Sequence, residues 1–235
     1  MPYKVVKGEL ISTPADIIVR SMTSHGYGTS NEEDGSFFSA AGASVEDELK
    51  LCGCVFTSRL AITSSGNLPC RYIFHAVPPR YLTGKSREFD VLRMTYRNII
   101  SEAERLGCKT IAMPFLSTCY FRFPWDYAIN IALSLAAASG LDITFVTDDE
   151  ELFKKAVNPT ARPKIVSYIG YFRDYAVFLL EDGMFAMVDL RIENRDVMVV
   201  PYCEPCYVDG NNPLQPPLSE SEKIRVSKIY EEYGW

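Results

Sequence analysis

The sequence predicts an α/β protein with a three-layer α/β/α first domain and a small β-rich C-terminal appendage that ends in a helix. Up to about residue 157, strand-like apolar runs alternate with amphipathic helical segments. Several runs are almost entirely apolar, which is typical of strands buried on both faces of a mostly parallel, mixed sheet. Beyond the linker-like stretch 158–164 the pattern changes to hairpin-like runs. We therefore expect one domain over 1–157 and an extension over 165–235 that packs on it.

The strands and helices of the first domain follow from local composition. Clusters of β-branched and aromatic residues between turn residues predict strands at 16–22, 58–63, 71–77, 109–116 and 142–147, after an N-terminal strand that begins near residue 3. Helical spacing, an initial Pro124 and a terminal Gly107 predict helices at 36–51, 88–107, 124–139 and 148–157. The last of these carries acids in its first turn and lysines near its end, as the helix dipole favours. This alternation predicts helices on both faces of the sheet.

The extension shows three strand candidates and one helix. Two apolar runs within 176–192 flank Asp182-Gly183, which is a strong hairpin signal, and 196–202 is a third candidate strand. The turn-rich stretch 209–218 follows. Ser219 and Glu222 then have the spacing of a capping box, so a final helix is expected.

The bulk composition excludes several classes of protein. The chain has 235 residues, 47% of them hydrophobic, with a formal net charge of −6, which argues against general nucleic-acid binding. No uninterrupted apolar run reaches the roughly 18 residues of a membrane span, and the N-terminus lacks the apolar core of a signal peptide. The seven cysteines have no framework spacing, so we expect reduced thiols, a cytoplasmic location, no membrane partner and no cofactor.

Three loops at strand ends are candidates for ligand contact, because ligands of open α/β sheets bind outside the carboxyl ends of the strands. They are 7–10, 21–35 and 114–124, the last reading PFLSTCYFRFP. The second and third each lead into a helix N-terminus, where free backbone N–H groups favour an anion. Two such loops side by side predict a diphosphate site. The alternative is that both are ordinary strand-to-helix connections capped by hydroxyls.

Five segments resemble, in order and spacing, the motifs of the macrodomain family. VKGEL (6–10) stands where the family has Gly-Asp-Ile, and GSFFSAAG (35–42) is similar to Gly-Ala-Ile-x-x-Ala-Ala-Gly. GCVFTSRLAIT (53–63) resembles Gly-Cys-x-x-Gly-x-Ala-x-x-Thr, and NLPCRYIFHAVPP (67–79) resembles Asn-Leu-Pro-x-x-Tyr-Ile-Ile-His-x-Val-Gly-Pro. TIAMPFLSTCYFRFP (110–124) is similar to Ser-Ile-Ala-Phe-Pro-x-Ile-Ser-Thr-Gly-x-aromatic-Gly-x-Pro. The resemblance covers residues 3 to about 157 and leaves the extension out.

The resemblance implies a macrodomain-like fold and a ligand such as ADP-ribose or an ADP-ribosylated protein. Glu9 stands in place of the family's adenine-contacting Asp, and Ser117 to Phe121 form the second phosphate loop, with Phe121 beside a ribose. The ligand-binding residues expected on this basis are Glu9, Leu10, Thr23, Gly35, Ser36, Ser117, Thr118, Cys119, Tyr120, Phe121 and Arg122. No metal ligand is among them.

Several positions depart from the family pattern. The family strand ends Val-Asn-x-x-Asn, whereas here Arg20 and Thr23 replace both asparagines. The glycine run of the first phosphate loop is replaced by GTSNEED, whose Glu32 and Glu33 would repel a diphosphate. Cys119 and Arg122 replace glycines, although an arginine can instead pair with a phosphate. These departures predict weak or altered ADP-ribose binding and little or no hydrolase activity.

Two acidic residues are the candidate catalytic groups if the protein is an enzyme. Asp34, aligned on DGSFF, matches the acidic residue that activates water in one hydrolase branch, and Glu33 is the second candidate. The alternative interpretation of 31–34 is a solvated acidic loop. Binding without turnover, an ADP-ribosyl hydrolase, and a non-binding interaction or assembly protein all remain open from the sequence.

The histidines and a cysteine pair are further candidates. His75 lies inside an apolar strand and is expected to be a hydrogen-bonded core residue, whereas His25 lies in a ligand-side loop and can serve as acid, base or phosphate donor. Cys203 and Cys206 have CxxC spacing, but no helix N-terminus follows to lower a thiol pKa. A zinc site would need two more ligands, for which only the pair Cys52 and Cys54 is close in sequence.

Overall fold

The structure, a computed structural model, describes residues 3–25, 31–82, 87–161, 163–172, 174–190, 197–200 and 218–233. Within these ranges the side chains of 31–34, 172, 189, 197–200, 232 and 233 are outside the description. The chain divides into two compact units. The first comprises Met1–Tyr81 and Val91–Thr160, and the second comprises Leu82–Asp90 and Ala161–Trp235.

The first unit is built on a six-stranded sheet. Its strands are β1 (Tyr3–Lys7), β2 (Ile17–Ser21), β3 (Leu60–Ser64), β4 (Tyr72–Ala76), β5 (Thr110–Met113) and β6 (Asp142–Thr147). Their order is β1-β6-β5-β2-β4-β3, and every neighbouring pair is parallel except β3 with β4. This confirms the mixed, mostly parallel sheet. It also confirms that the strands predicted at 16–22 and 109–116 are neighbours, with Ile17 opposite Ile111.

Helices connect the strands on both faces of this sheet. They are α1 (Asn31–Ala41), α2 (Ala43–Leu51), α3 (Glu88–Arg105), α4 (Trp125–Ala138) and α5 (Glu150–Val157), with a 3-10 turn at Leu10–Ser12. The prediction of a single helix over 36–51 was wrong, because two helices cover this stretch. The chain breaks at Gly42, whose φ of 98° is unfavourable for other residues, and α1 begins earlier than expected, at Asn31. The expected loop 21–35 is correspondingly shorter.

The core of the first unit explains why the central strands are so apolar. Ile18, Ile73 and Ala112, from three adjacent strands, are fully buried and pack with Phe37 and Val45 from the two helices above them. Burying a large apolar side chain contributes roughly 2 kcal/mol each, so a sheet covered on both faces needs such residues at nearly every position.

Asp16 fixes the amino ends of two central strands. Its carboxylate accepts hydrogen bonds from the backbone N–H groups of Lys109 at 2.7 Å and Thr110 at 3.1 Å. These bonds hold the pKa of Asp16 below its usual value. β2 and β5 therefore start at the same level, and their opposite ends lie together at the other edge.

The second unit contains an antiparallel sheet and a helix. Its strands β7 (Ile165–Phe172), β8 (Tyr175–Leu180), β9 (Phe185–Asp189) and β10 (Val197–Val200) lie in the order β10-β9-β8-β7, and α6 spans Glu220–Tyr233. Gly183, with φ 81°, turns β8 into β9, which confirms the predicted hairpin. The capping box is also confirmed, because the Ser219 N–H donates to the Glu222 carboxylate at 2.9 Å.

Strand β7 was not foreseen in the sequence. Its pairing with β8 shifts register twice, between Ile165 and Ser167 and between Tyr168 and Gly170, so its side chains do not alternate regularly. Cys203 and Cys206 lie outside the described residues. Among those described, no helix is long and apolar enough to cross a membrane. The cytoplasmic location and the packing of the extension on the first domain stay predictions.

Candidate functional site

A cleft of about 420 Å³ opens in the first unit beyond the carboxyl ends of four neighbouring strands. It is lined by Gly8, Glu9, Leu10 and Ile11 after β1, Arg20 and Ser21 at the end of β2, Ser36 and Phe37 of α1, Pro114, Phe115, Ser117, Thr118, Cys119, Tyr120 and Phe121 after β5, and Val146, Thr147, Asp148 and Leu152 at β6 and α5. Open α/β sheets place their ligands at this edge. The cleft is therefore the candidate binding site.

The loop after β5 forms one wall and is held in a single shape by its own hydrogen bonds. The Ser117 hydroxyl donates to the Pro79 carbonyl at 2.8 Å, and the Thr118 hydroxyl donates to the Phe115 carbonyl at 2.7 Å. Ser117 and Thr118 were both expected to contact the ligand. In this geometry their hydrogens are used within the first unit, so they shape the loop and leave N–H groups as its donors toward a ligand.

The backbone of the same loop turns sharply. Ser117 has a φ of 68° and Arg122 a φ of 56°, both in the left-handed region that favours glycine. Arg122 is one of the positions where the macrodomain pattern has glycine, so this geometry explains the family preference there. The Trp125 indole N–H closes the turn by donating to the Thr118 carbonyl at 2.8 Å.

Tyr96 of α3 supports the loop from beneath. Its hydroxyl is fully buried and accepts a hydrogen bond from the Leu116 N–H at 2.8 Å. Burial raises the pKa of this phenol, so it remains neutral. Next to it, the rings of Phe115 and Phe145 stack with centroids 4.6 Å apart. The floor of the cleft is consequently rigid and apolar.

One end of the cleft, between β1 and β6, presents two carboxylates. The Gly8 N–H donates to the Thr147 carbonyl at 3.0 Å, so Glu9 and Asp148 follow immediately on two joined strands, and both side chains are exposed. Leu10 supplies apolar surface beside them. A carboxylate only accepts hydrogen bonds at neutral pH, so this end suits a ring with amino donors. Glu9 was expected here, whereas Asp148 was not singled out from the sequence.

Arg20, at the end of β2, is a buried basic residue in the lining of the cleft. It is only 6% exposed, and its guanidinium carbon lies 4.7 Å from the Phe37 ring centroid and 4.9 Å from that of Phe38. The sequence shows that an asparagine of the family pattern is replaced there. The charge of Arg20 could have drawn attention to it in the sequence, because an arginine within an otherwise apolar strand is rarely buried unless it has a partner.

His75 lies beside Arg20, as its partner in the β2–β4 register, and is fully buried. The buried position was predicted correctly. Its Nε2 lies 2.9 Å from the Thr63 hydroxyl, but Nδ1 has no hydrogen-bond partner among the described residues, so the ring is only partly hydrogen-bonded. Burial, with a smaller contribution from the Arg20 charge, lowers the pKa of His75 to about 3. Arg20 therefore carries the positive charge of this pair.

The structure brings together eight of the expected ligand-binding residues in this cleft, namely Glu9, Leu10, Ser36, Ser117, Thr118, Cys119, Tyr120 and Phe121. Thr23, Gly35 and Arg122 are not among the residues that line it. Glu33 and Asp34 belong to the first turn of α1, but their side chains lie outside the described part, so their catalytic roles stay predictions.

His25 lies elsewhere, in a second cavity of about 270 Å³ together with Cys54, Glu46 and Lys50. Its ring nitrogen Nδ1 is 3.4 Å from the Ser24 hydroxyl. Cys52 and Cys54 are both exposed free thiols. In the parts of the chain that the structure describes, no three metal-ligating side chains come together.

Comparison with known proteins agrees with this architecture. A family model for the Macro domain matches residues 21–132. A macro domain-containing protein of Caldanaerobacter subterraneus subsp. tengcongensis is 32% identical over 166 residues, covering 65% of this chain and 94% of that protein. The O-acetyl-ADP-ribose deacetylase 1 of Pantoea vagans is 31% identical over 136 residues, or 56% of this chain and 78% of the enzyme.

A solved structure shows the same fold. The Trypanosoma brucei macrodomain in complex with ADP-ribose superposes with a TM-score of 0.58 at 26% identity, covering 67% of this chain and 68% of the other. The fold and the cleft thus define the class as an α/β/α domain with an open site beyond the carboxyl ends of its central strands. Within that class, the chain belongs to the macrodomain family.

Proposed function

We propose that this protein binds ADP-ribose, or a related nucleoside diphosphate, in the cleft at the carboxyl ends of β1, β6, β5 and β2. The observation that carries the proposal is the placement of eight expected contact residues around one cavity of about 420 Å³. That volume falls within the range of small-molecule sites. The related T. brucei macrodomain, solved with ADP-ribose, supports the same ligand class.

The two ends of the cleft suggest how the ligand lies. Glu9 and Asp148 can accept hydrogen bonds from the exocyclic amine of an adenine, which would rest on Leu10 and Leu152. The β5–α4 loop then follows the diphosphate, and Phe121, 8% exposed, contacts a ribose. A direct test is calorimetry of the whole chain with ADP-ribose and with ADP.

Phe121→Ala tests whether the ligand contacts the loop between β5 and α4. It should weaken ADP-ribose binding by roughly tenfold, the effect of losing one well-packed aromatic contact. Phe56→Ala is the matched control, because Phe56 is 77% exposed and does not line the cleft. Melting curves of both variants verify folding. Equal affinity of the Phe121→Ala variant and the wild type for ADP-ribose would show that the ligand does not contact this loop.

We further propose that hydrolysis is slow or absent. Arg20 and Thr23 stand where the family pattern has two asparagines, and the second asparagine normally holds the distal ribose and helps catalysis in hydrolases. Positioning supplies much of a rate enhancement, and losing one well-placed polar contact typically costs about 100-fold in rate. A carboxylate such as Asp34 does not replace that positioning by itself.

The alternative function is an ADP-ribosyl hydrolase that uses Asp34, or Glu33, to activate water. The 31% identity to a protein named O-acetyl-ADP-ribose deacetylase 1 favours keeping it as the second candidate. An assay of ADP-ribose release from ADP-ribosylated protein separates the two functions. Turnover at ordinary enzyme rates that disappears in Asp34→Ala, but not in Asp142→Ala at the opposite end of β6, would establish the hydrolase.

A further inference from the structure

The cleft has an uneven distribution of charge. Its carboxylates, Glu9 and Asp148, lie at the β1–β6 end, and Arg20 is the basic residue that the described lining contains. In the sheet order, β5 separates β6 from β2, so Arg20 lies two strand spacings, about 10 Å, from the strand that leads to Asp148. A ligand with a donor-bearing ring at one end and an anion farther along matches this arrangement.

The position of Arg20 is built into the fold. The guanidinium is covered by the rings of Phe37 and Phe38, which follow Ser36 in α1, and all but 6% of the residue is withdrawn from solvent. A buried arginine cannot shed its proton, and a charge in a low-dielectric site interacts strongly with an opposite charge brought close to it. The stacked rings restrict its rotamers, so little side-chain entropy is lost when it binds an anion.

The neighbouring histidine does not compete for this role. His75 is neutral at physiological pH because its pKa is about 3, so Arg20 carries the positive charge of this pair on the neighbouring strands β2 and β4.

We propose that Arg20 is the specificity-determining residue of the cleft, donating charge-assisted hydrogen bonds to the diphosphate of a bound nucleotide from the β2 side. A guanidinium binds phosphate oxygens through two parallel N–H groups, which a neutral asparagine cannot do. This inference rests on the proposed function, since it concerns the same cleft. It makes affinity depend on the ligand's negative charge more than an asparagine at the same position would.

Arg20→Gln tests the proposal, because its effect on the binding of the diphosphate can be compared with its effect on the binding of the nucleoside. Binding of ADP-ribose, ADP, pyrophosphate and adenosine is measured by competition calorimetry on the whole chain. Arg20→Gln should weaken ADP and pyrophosphate on the order of 10- to 100-fold, the range for hydrogen bonds to charged groups, and change adenosine by less than about threefold. The control Arg59→Gln removes an equal charge at an exposed position outside the cleft and should change none of them.

A second variant distinguishes the loss of an anion contact from misfolding. Arg20→Lys keeps the charge but loses the planar fork, so it should retain part of the affinity for pyrophosphate, and the wild type should lose pyrophosphate affinity as salt rises. An equal loss of ADP and adenosine in both Arg20 variants would overturn the proposal, because Arg20 would then only support the fold. Unchanged ADP binding in Arg20→Gln would overturn it while leaving the proposed function intact. Failure of the wild type to bind ADP-ribose and ADP would overturn both.

Discussion

At the scale of single residues, buried polar groups distinguish this domain from a purely apolar sheet. Arg20 and His75 occupy adjacent positions on the neighbouring parallel strands β2 and β4, where buried strands normally carry aliphatic side chains. Thr63 satisfies one nitrogen of His75 at 2.9 Å. The Thr63 hydroxyl also lies 3.1 Å from the Ser64 carbonyl, to which it can donate, so the Nε2–H tautomer of His75 fits this network. The neutral imidazole is the form that the fold selects.

This preference makes stability depend on pH. The pKa of His75 is about 3 in the folded protein, whereas an unperturbed histidine has a value near 6.5. Between about pH 6.5 and pH 3, His75 is therefore protonated in the unfolded chain but neutral in the folded chain. Folding stability consequently falls as the pH is lowered through this range. Denaturant unfolding between pH 7 and pH 4.5 should show this loss, with a contribution from His75 that approaches about 1.4 kcal/mol per pH unit.

His75→Gln isolates the histidine, because the carboxylates titrate in both proteins. The variant should be less stable at pH 7, since a buried side chain is altered, but its stability should fall less steeply between pH 6.5 and pH 4.5. Parallel pH profiles for the two proteins would show that His75 does not resist protonation in the folded state.

At the scale of elements, a close contact between the β3–β4 turn and the end of α1 fixes how α1 and α2 cover the sheet. The Asn67 N–H, in the β3–β4 turn, donates to the Ala41 carbonyl at the end of α1 at 2.9 Å. Gly66 precedes it with a φ of 54°, and a Cβ atom there would meet the Ala41 oxygen at 1.9 Å and a Val45 methyl at 2.7 Å. Only glycine permits this contact, and the same contact ends α1 just before the break at Gly42.

Gly66→Ala should therefore lower the free energy of unfolding by about 3 kcal/mol or more, because both the backbone angle and the contact with backbone atoms oppose a methyl group. For a chain of this size such a loss lowers the melting temperature by several degrees or more. Gly140→Ala is the matched control, since no atom lies within 4 Å of its added Cβ, and should stay within about 1 kcal/mol of the wild type. Similar melting temperatures for the two variants would contradict this account.

The helix break also shows where sequence reasoning reached its limit. Local sequence or a family motif indicates three of the observed features, so these could be predicted. They are the adjacency of β2 and β5, the hairpin at Gly183 and the capping box at Ser219. The split at Gly42 depends on a turn more than twenty residues later in the chain, and no local pattern reports it. In the site, alternation in a doubly buried strand does not tell which side a residue faces, so Arg20 could not be placed in the cleft.

At the scale of the whole molecule, the boundary between the two units at Thr160 and Ala161 falls within the linker-like stretch 158–164 that the sequence indicates. The second unit takes in Leu82–Asp90 as well as the residues from Ala161 onward. Within it, α6 is tied to the start of the unit, because the Tyr230 hydroxyl donates to the Pro163 carbonyl at 2.7 Å. Val177, Phe185 and Met187 form a small core of their own. The C-terminal extension is thus a folded unit that includes a segment from the middle of the chain.

Truncation after Thr160 tests this division. The cut preserves the bonds of Thr160 to Asp126 and Asn130, each 3.1 Å, but removes the residues with which Leu82–Asp90 clusters. Phe89, 1% exposed in the whole chain, should then become accessible to solvent, at a cost of roughly 2 kcal/mol, and the melting temperature should fall. Phe89→Ala, made in both chains, provides a double-mutant cycle. The substitution should destabilise the whole chain and have little effect on the truncated one, whereas equal effects in both would show that Phe89 owes its burial to residues before 161.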